Sequence, residues 1–329
     1  MKNIPDYQDV LNAAAHIKGT AVQTPLLQNQ QLNAITGANI FIKPECLQRT
    51  GSFKFRGAFN AISMIPDDRR QYGVVACSSG NHAQGVAEAA RLMDIGATII
   101  MPHDSPAIKI ERTRRSGAKV KLYDRDKQDR DAIARNICQD TGATFIHPYD
   151  NPNVIAGQGT TGLEIASQLQ AQNPGQAIQL HRALVCTGGG GLTGGLALAL
   201  DHHFGKIKIH SVEPEGFDDY RRSLNAGQRV ENLDRSGSIC DALLTQSPGE
   251  VGFQINRRLL AEGLAVSDEE ALFAVKFAFH ELKLVVEPGG AVALAALLKS
   301  GGKWAGENIA CVLSGGNIDP KMMAMALAL

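Results

Sequence analysis

The stretch Ala183-Leu-Val-Cys-Thr-Gly-Gly-Gly-Gly-Leu-Thr-Gly-Gly-Leu-Ala-Leu-Ala-Leu-Asp-His-His203 puts a short apolar run, four adjacent glycines and a helical pattern in direct succession. Read as strand, loop and helix, it is one unit of an α/β fold. Adjacent glycines let successive backbone N–H groups turn toward one point, and the helix behind them adds the positive end of its dipole. A phosphate is the natural guest of such a loop. A merely flexible linker explains it less well, because a loop after a buried strand has no need of four glycines in a row.

The same alternation continues outward. Val74–Cys77, Ala97–Met101, Val120–Tyr123, Thr144–His147, Ile207–Val212 and Ile309–Leu313 read as further strands. Helical spacing marks Asn81–Asp94, Ile108–Arg115, Asp129–Gln139 and Asp268–Leu282, the last with Leu272, Val275, Phe279 and Leu282 on one face. Alternating strand and helix imply parallel-rich twisted sheets with helices on both faces, an α/β class. The glycine-rich breaks at Gly188–Gly191 and Gly315–Gly316 follow strands, and ligands in such folds sit at the carboxyl ends of strands. With 329 residues, 44% of them hydrophobic, the chain is long enough for two lobes. The expected division is a large lobe from residues 1–65 and 148–329 and a small one from 66–147.

Composition narrows the function classes. Lys and Arg number 33, as do Asp and Glu, for a formal net charge of +0. No basic face stands out, which argues against nucleic acid as a partner. No run of about 18 apolar residues occurs, so no membrane span is expected. The first twenty residues carry charges throughout and lack the apolar core of a secretory signal. The six cysteines are widely spaced with no CxxC pair, which fits reduced thiols in the cytoplasm better than disulfides or zinc.

Two chemistries compete for the glycine run. Gly189-x-Gly191-x-x-Gly194, with Glu213 further on at the end of a strand, matches the dinucleotide fingerprint and taken alone suggests NAD. Against it stands Lys54 in Gly51-Ser-Phe-Lys-Phe-Arg-Gly57. A lysine held between two aromatic residues can have a lowered pKa and act as an amine nucleophile. Two further segments, Ser78-Ser-Gly-Asn-His-Ala-Gln-Gly85 and Ser314-Gly-Gly-Asn317, offer nothing for nicotinamide chemistry.

The string Arg49-Thr-Gly-Ser-Phe-Lys-Phe-Arg-Gly-Ala-Phe-Asn60 resembles the cofactor-lysine motif of the serine/threonine dehydratase and serine racemase family, which uses pyridoxal 5'-phosphate (PLP). The Ser78–Gly85 segment is similar to that family's substrate loop, Thr187–Leu192 to its phosphate loop, and Ser314–Asn317 to its pyridine-nitrogen segment. The order and spacing match over nearly the whole chain. The resemblance implies a two-lobed PLP enzyme of fold type II. Lys54 would carry the cofactor and act as the Cα base, Phe53 would pack on its ring, and Asn81 would hydrogen-bond its ring hydroxyl. The N–H groups of Gly188, Gly189, Gly190, Gly191 and Leu192 would hold its phosphate, and Ser314 would meet the pyridine nitrogen. A hydroxyl partner leaves that nitrogen largely neutral and the ring a weaker electron sink, which suits β-elimination.

By the same resemblance, Ser78, Ser79, Asn81 and His82 would surround the substrate carboxylate, and Arg130 matches the racemases' substrate-contacting arginine. Ser79 would be the second acid/base of a racemase; many dehydratases have alanine there. The implied main activity is loss of water, then ammonia, from an L-threonine- or L-serine-type 3-hydroxy amino acid, giving a 2-oxo acid. Serine racemase and 3-hydroxyaspartate dehydratase are the alternatives, and a homodimer is the family expectation. The segment Glu213-Pro-Glu-Gly-Phe-Asp-Asp219 resembles the family's cation site, in which Glu213, the Phe217 carbonyl and Asp219 would give Mg²⁺ or Ca²⁺ its oxygen ligands. Departures also exist. Ala242 stands in Cys240-Asp-Ala-Leu243 where glycine is usual, and is expected to narrow the pocket. Glu287-Pro-Gly-Gly-Ala291 differs from the usual spelling and suggests no role. The chain ends soon after Asn317, so a C-terminal regulatory domain is not expected.

Overall fold

Strand residues that alternate along the chain enter two different cores, and this period of two builds both sheets. The computed structural model describes residues 3–105, 107–124, 127–234 and 236–329. Its strands are β1 (Asn39–Pro44), β2 (Val74–Cys77), β3 (Ala97–Pro102), β4 (Lys119–Tyr123), β5 (Thr144–Phe145), β6 (Arg182–Cys186), β7 (Lys208–Pro214), β8 (Leu260–Val266) and β9 (Asn308–Leu313). They form a sheet in the order β1-β9-β6-β7-β8 and another in the order β4-β3-β2-β5. Every pairing is parallel.

The helices are α1 (Tyr7–Ile17), α2 (Gln30–Thr36), α3 (Lys54–Ser63), α4 (Asp67–Arg70), α5 (Asn81–Leu92), α6 (Ala107–Arg115), α7 (Arg130–Thr141) and α8 (Pro152–Gln172). There follow α9 (Gly191–Phe204), α10 (Asp219–Ala226), α11 (Glu250–Leu259), α12 (Asp268–Phe277), α13 (Pro288–Lys299) and α14 (Pro320–Ala328). In the larger sheet Ile40, Ile42, Leu184, Cys186, Ile309 and Cys311 face the apolar side of α13. Their neighbours Phe41, Ala183, Val185, Ala310 and Val312 face α8 and α9 on the other side. In the smaller sheet Val74, Ala76, Ile99 and Met101 meet α3 and α5, while Val75, Cys77 and Ile100 meet α7. Helices on both faces explain why these strands read as nearly continuous apolar runs.

The expected strand at 144–147 is shorter, Thr144–Phe145, although the Ile146 N–H still donates to Val75 O at 2.8 Å. The expected helix at 268–282 changes pitch: α12 stops at Phe277, continues as one π-helical turn over Ala278–Leu282, and ends on Lys283 at φ +58°. β1 escapes a sequence reading because Lys43 sits in its apolar run. That lysine is buried, and its Nζ donates to Glu164 Oε2 (2.7 Å), Gln168 Oε1 (2.8 Å) and Thr24 O (2.6 Å). Arg56, also buried, makes two bonds of 2.8 Å to Glu45 and one of 2.6 Å to Glu164 Oε1. Two cations and two anions carry no net charge into the interior. Removing one alone would leave an uncompensated buried charge, at a cost of about 3–5 kcal/mol. The quartet thereby fixes α3, two residues after its first position, against β1 and α8.

Candidate active site

Parallel strands release their chains at one edge, and three neighbours of the larger sheet end in three of the four motifs. β1 leads to the Lys54 segment, β9 to Ser314–Asn317, and β6 to Gly188–Gly191. The edge is closed by backbone contacts. Ser52 pairs with Gly315, the Phe53 N–H donates to Ser314 O at 3.2 Å, and the Gly316 N–H donates to Gly51 O at 2.9 Å. The fourth motif follows β2 and opens α5. Gly85 lets α5 press on α3, since a side chain there would lie 3.2 Å from the backbone of Lys54. Asn81 is one turn earlier on the same face and therefore looks toward Lys54.

Lys54 begins α3, and its Nζ donates to Pro148 O at 2.9 Å. Its ammonium lies 5.0 Å from the centroid of the half-buried Phe53 ring. Burial, with no carboxylate to offset it, pulls its pKa from 10.5 to about 8. This is the environment of an amine nucleophile.

The glycine loop has its carbonyls tied down from behind. Gly189 O accepts from the Gly249 N–H at 3.0 Å and from the Tyr220 hydroxyl at 3.4 Å. Gly190 O accepts from Asn256 Nδ2 at 3.1 Å and from the Gly194 N–H at 2.9 Å. Gly190 takes φ +85°, and a side chain there would fall on the Tyr220 hydroxyl. The N–H groups of Gly188, Gly189 and Gly190 donate to nothing among the described residues. Those of Gly191 and Leu192 open α9 and have no intrahelical partner. Five donors are thus left for an anion, with the helix dipole behind them. Tyr149 covers Gly189 from the side of Pro148.

A match to the family model described as "Pyridoxal-phosphate dependent enzyme" spans residues 17–315. The chain belongs to this family. Among its relatives, the L-threo-3-hydroxyaspartate ammonia-lyase of Pseudomonas sp is 43% identical, over 98% of this chain and 99% of that protein. The serine racemase of Schizosaccharomyces pombe is 39% identical, over 99% and 98%. The solved structure of a threonine deaminase from T.th. superposes with a TM-score of 0.89 at 39% identity, covering 96% of this chain and 99% of the other. The fold is accordingly that of a fold-type II PLP enzyme. Its residues fit the cofactor: a lysine of lowered pKa is hydrogen-bonded to Pro148 O, and the next residue, Tyr149, lies over a loop with five N–H donors that have no partner among the described residues.

For a PLP enzyme, the dinucleotide reading of the glycine run lapses, and the structure shows what its acidic residue does instead. Both oxygens of the buried Glu213 carboxylate accept backbone N–H groups of α10, from Tyr220 at 2.9 Å and Arg221 at 3.0 Å. Asp219 stands near it, with Oδ1 accepting from Asn232 Nδ2 at 2.7 Å and Oδ2 buried without a partner. Burial pushes both carboxyl groups up, Asp219 to about 7; the Asp219 charge adds to the rise at Glu213, and the Asp218 charge to that at Asp219. Phe217 lies buried in the turn that joins them. The orphaned Asp219 oxygen is what a divalent cation such as Mg²⁺ or Ca²⁺ would satisfy, while among the described residues no group of three or more His, Cys, Asp or Glu is gathered for one.

The remaining expected residues divide. The Asn81 amide donates to Glu287 Oε1 at 2.6 Å and accepts from Asn317 Nδ2 at 2.8 Å. The Ser314 hydroxyl lies against the Cys186 thiol. Ser78 Oγ accepts the Gly80 N–H at 3.2 Å, and the Ser79 hydroxyl enters no hydrogen bond among the described residues. The His82 ring faces the core. It is buried, its Nε2 bonds Ile146 O at 2.9 Å, its Nδ1 has no partner, and burial pulls its pKa down to about 3. A neutral ring turned into the core cannot receive a carboxylate, so only its backbone N–H at the start of α5 remains available. Arg130 opens α7, and its carbonyl accepts from Cys77 Sγ at 3.5 Å, which sets it beside the end of β2 with a half-exposed side chain. The Ala242 methyl meets Gly289 at the start of α13, 3.3 Å from where a Cβ of that glycine would stand.

Glu287, to which the sequence assigns no role, is in the site. It caps α13, is buried, and has its carboxyl pushed up to about 7, chiefly by burial. Its only sequence signal is the unusual Pro-Gly-Gly spelling after it. Gly290 is needed because a side chain there would run into Gly315 O.

Proposed function

We propose that the chain is an ammonia-lyase that eliminates water from a 3-hydroxy amino acid of the L-threonine or L-serine type, with PLP held at Lys54; the enamine released then takes up water to give a 2-oxo acid and ammonia. The observation that carries this reading is the buried Lys54 amine, with its pKa near 8, beside the unpartnered N–H groups of the glycine loop. PLP, when bound, withdraws electrons from the substrate's Cα. The protein's part is then assigned residue by residue. Gly188–Gly191 and Leu192 hold the phosphate, Phe53 supports the ring, and Ser314 meets the ring nitrogen with a neutral hydroxyl. Lys54 Nζ takes the Cα proton. Ser78, Ser79, Asn81 and the α5 N-terminus, including the His82 N–H, bind the substrate carboxylate. The two sheets are read as two lobes, 1–65 with 148–329 and 66–147, with the site between them. The reading includes a homodimer in the cytoplasm and a structural Mg²⁺ or Ca²⁺ at Glu213, the Phe217 carbonyl and Asp219. Among the described residues no helix is long and apolar enough to cross a membrane.

A specific observation favours 3-hydroxyaspartate within this class. Lys109 of α6 reaches Asp241 Oδ2 at 3.0 Å, and its charge is felt at Glu287. This cation near Glu287, and the 43% identity to an L-threo-3-hydroxyaspartate ammonia-lyase, support a substrate with a second carboxylate. The racemase alternative rests on the unengaged Ser79 hydroxyl. The test is borohydride reduction of the PLP-loaded protein and peptide mapping, followed by 2-oxo acid release from L-threonine, L-serine and threo-3-hydroxyaspartate. A label on Lys54 and turnover of at least one substrate are expected. No label, or D-serine formation outpacing every elimination, would overturn the lyase reading.

A further inference from the structure

The orientation of the Asn81 amide is dictated from a distance. Asn317 Nδ2 donates to Thr50 O at 2.8 Å, and a carbonyl can only accept, so the Asn317 amide has one possible sense. Its other N–H then points at Asn81, which must present its oxygen there, at 2.8 Å. This turns Asn81 Nδ2 the other way, where one of its hydrogens meets Glu287 Oε1 at 2.6 Å. The second hydrogen has no partner among the described residues. Each step follows from donor and acceptor identity, which is how amide orientation is assigned where hydrogens are not seen.

The backbone is built around this chain. Thr50 is β-branched yet holds φ +65°, a conformation such residues rarely adopt, and its own hydroxyl is buried without a partner. Strain of this kind persists where the surroundings over-determine it. Gly51, at φ +75°, leaves the space that the Asn317 side chain fills, and Gly315 lies over the contact of Asn81 with Glu287.

We infer that Asn317 is a positioning residue that fixes the sense of the Asn81 amide, so that Asn81 can offer the bound cofactor's ring oxygen a donor and never an acceptor. Asn81 therefore favours that oxygen in its deprotonated form. This inference rests on the proposal that PLP is held at Lys54.

The experiment is a double-mutant cycle on PLP affinity, read by absorbance titration of PLP-free protein, with the thermal midpoint of each PLP-free variant measured alongside. Asn317→Asp puts an acceptor where the donor was and reverses the chain of orientations. It is expected to weaken PLP binding about tenfold or more, the loss of one hydrogen bond to a charged group. In an Asn81→Ala background the same substitution is expected to add little further weakening, because its effect passes through Asn81. Asn317→Ala, which removes the donors without adding charge, gives a second cycle should the aspartate variant fold poorly. Effects that multiply in both cycles would mean that Asn317 acts on the fold alone, and would overturn the inference. Wild-type protein that takes up no PLP would overturn the parent reading and this one with it.

Discussion

Replacing Lys54 with methionine should stabilise the PLP-free protein at neutral pH, although it destroys the site. The side chain is half-buried, with its Nζ desolvated and on one carbonyl, Pro148 O at 2.9 Å. A fall in pKa from 10.5 to about 8 corresponds to about 3 kcal/mol against the charged form. The sign follows from proton binding. Between about pH 8 and 10.5 the unfolded chain holds more protons at Lys54 than the folded one, so stability rises with pH across that window. Below pH 8 the penalty is present in full. Methionine of similar length removes it and leaves Pro148 O without its donor, a loss of about 1 kcal/mol. The expected net gain is about 2 kcal/mol at pH 7, shrinking to about zero by pH 10. Urea melts of both PLP-free proteins at the two pH values, with equal m-values, measure it. A variant less stable than wild type at pH 7, or a gain that does not change with pH, would refute the claim that burial alone lowers the Lys54 pKa.

Two other substitutions probe the supports of the site. Gly190→Ala forces a left-handed conformation at about 1–2 kcal/mol and displaces the Tyr220 hydroxyl. It should therefore lower Tm and weaken PLP binding together, and wild-type affinity in calorimetry would show that the loop geometry does not matter. Mg²⁺ or Ca²⁺ should raise the Tm of the wild type, by about 2.7 kcal/mol of added stability at a hundred times Kd. Asp219→Asn should abolish that rise; a rise that survives the substitution would place the cation elsewhere.

What can be read from the sequence is local. Gly188–Gly191, Lys54 between two phenylalanines and Ser314–Asn317 each carry their chemistry in a few adjacent residues, and alternation between apolar runs and helical spacing implies the parallel sheets. What escapes depends on contacts across the chain. Lys43 hides β1, because only the buried quartet with Glu45, Arg56 and Glu164 makes a lysine tolerable there. Glu287 reads as an ordinary helix start, and only distant contacts place it in the site: the bond it accepts from Asn81, 206 residues away, and the one its N–H donates to Gly315 O. His82 faces the core through side-chain direction. It lies next to Asn81 on α5, and one helical step of about 100° carries its ring from the site into the core. Tyr220 and Asn256 have no local signal at all, since they act by holding loop carbonyls from behind.

On the proposed reading, the division of labour between the two sheets explains how the Lys54 amine can be desolvated and still be a nucleophile. The glycine loop and Ser314 follow strands of the larger sheet, whereas Asn81 follows β2 and Pro148 comes just after β5 of the smaller one. Lys54 opens the helix that packs against α5 on one side and α8 on the other. Its amine is therefore desolvated where the two halves meet, and its partner among the described residues, Pro148 O, lies just past the segment that carries the smaller sheet. A backbone carbonyl can hold that amine in place without pairing its charge. A carboxylate in the same position would return the pKa toward 10.5 and forfeit the nucleophile. On the proposed reading, a carbonyl at this point, with the carboxylates of Glu287 and Glu213 engaged elsewhere by Asn81 and by α10, leaves the Lys54 amine free to react beside buried acids.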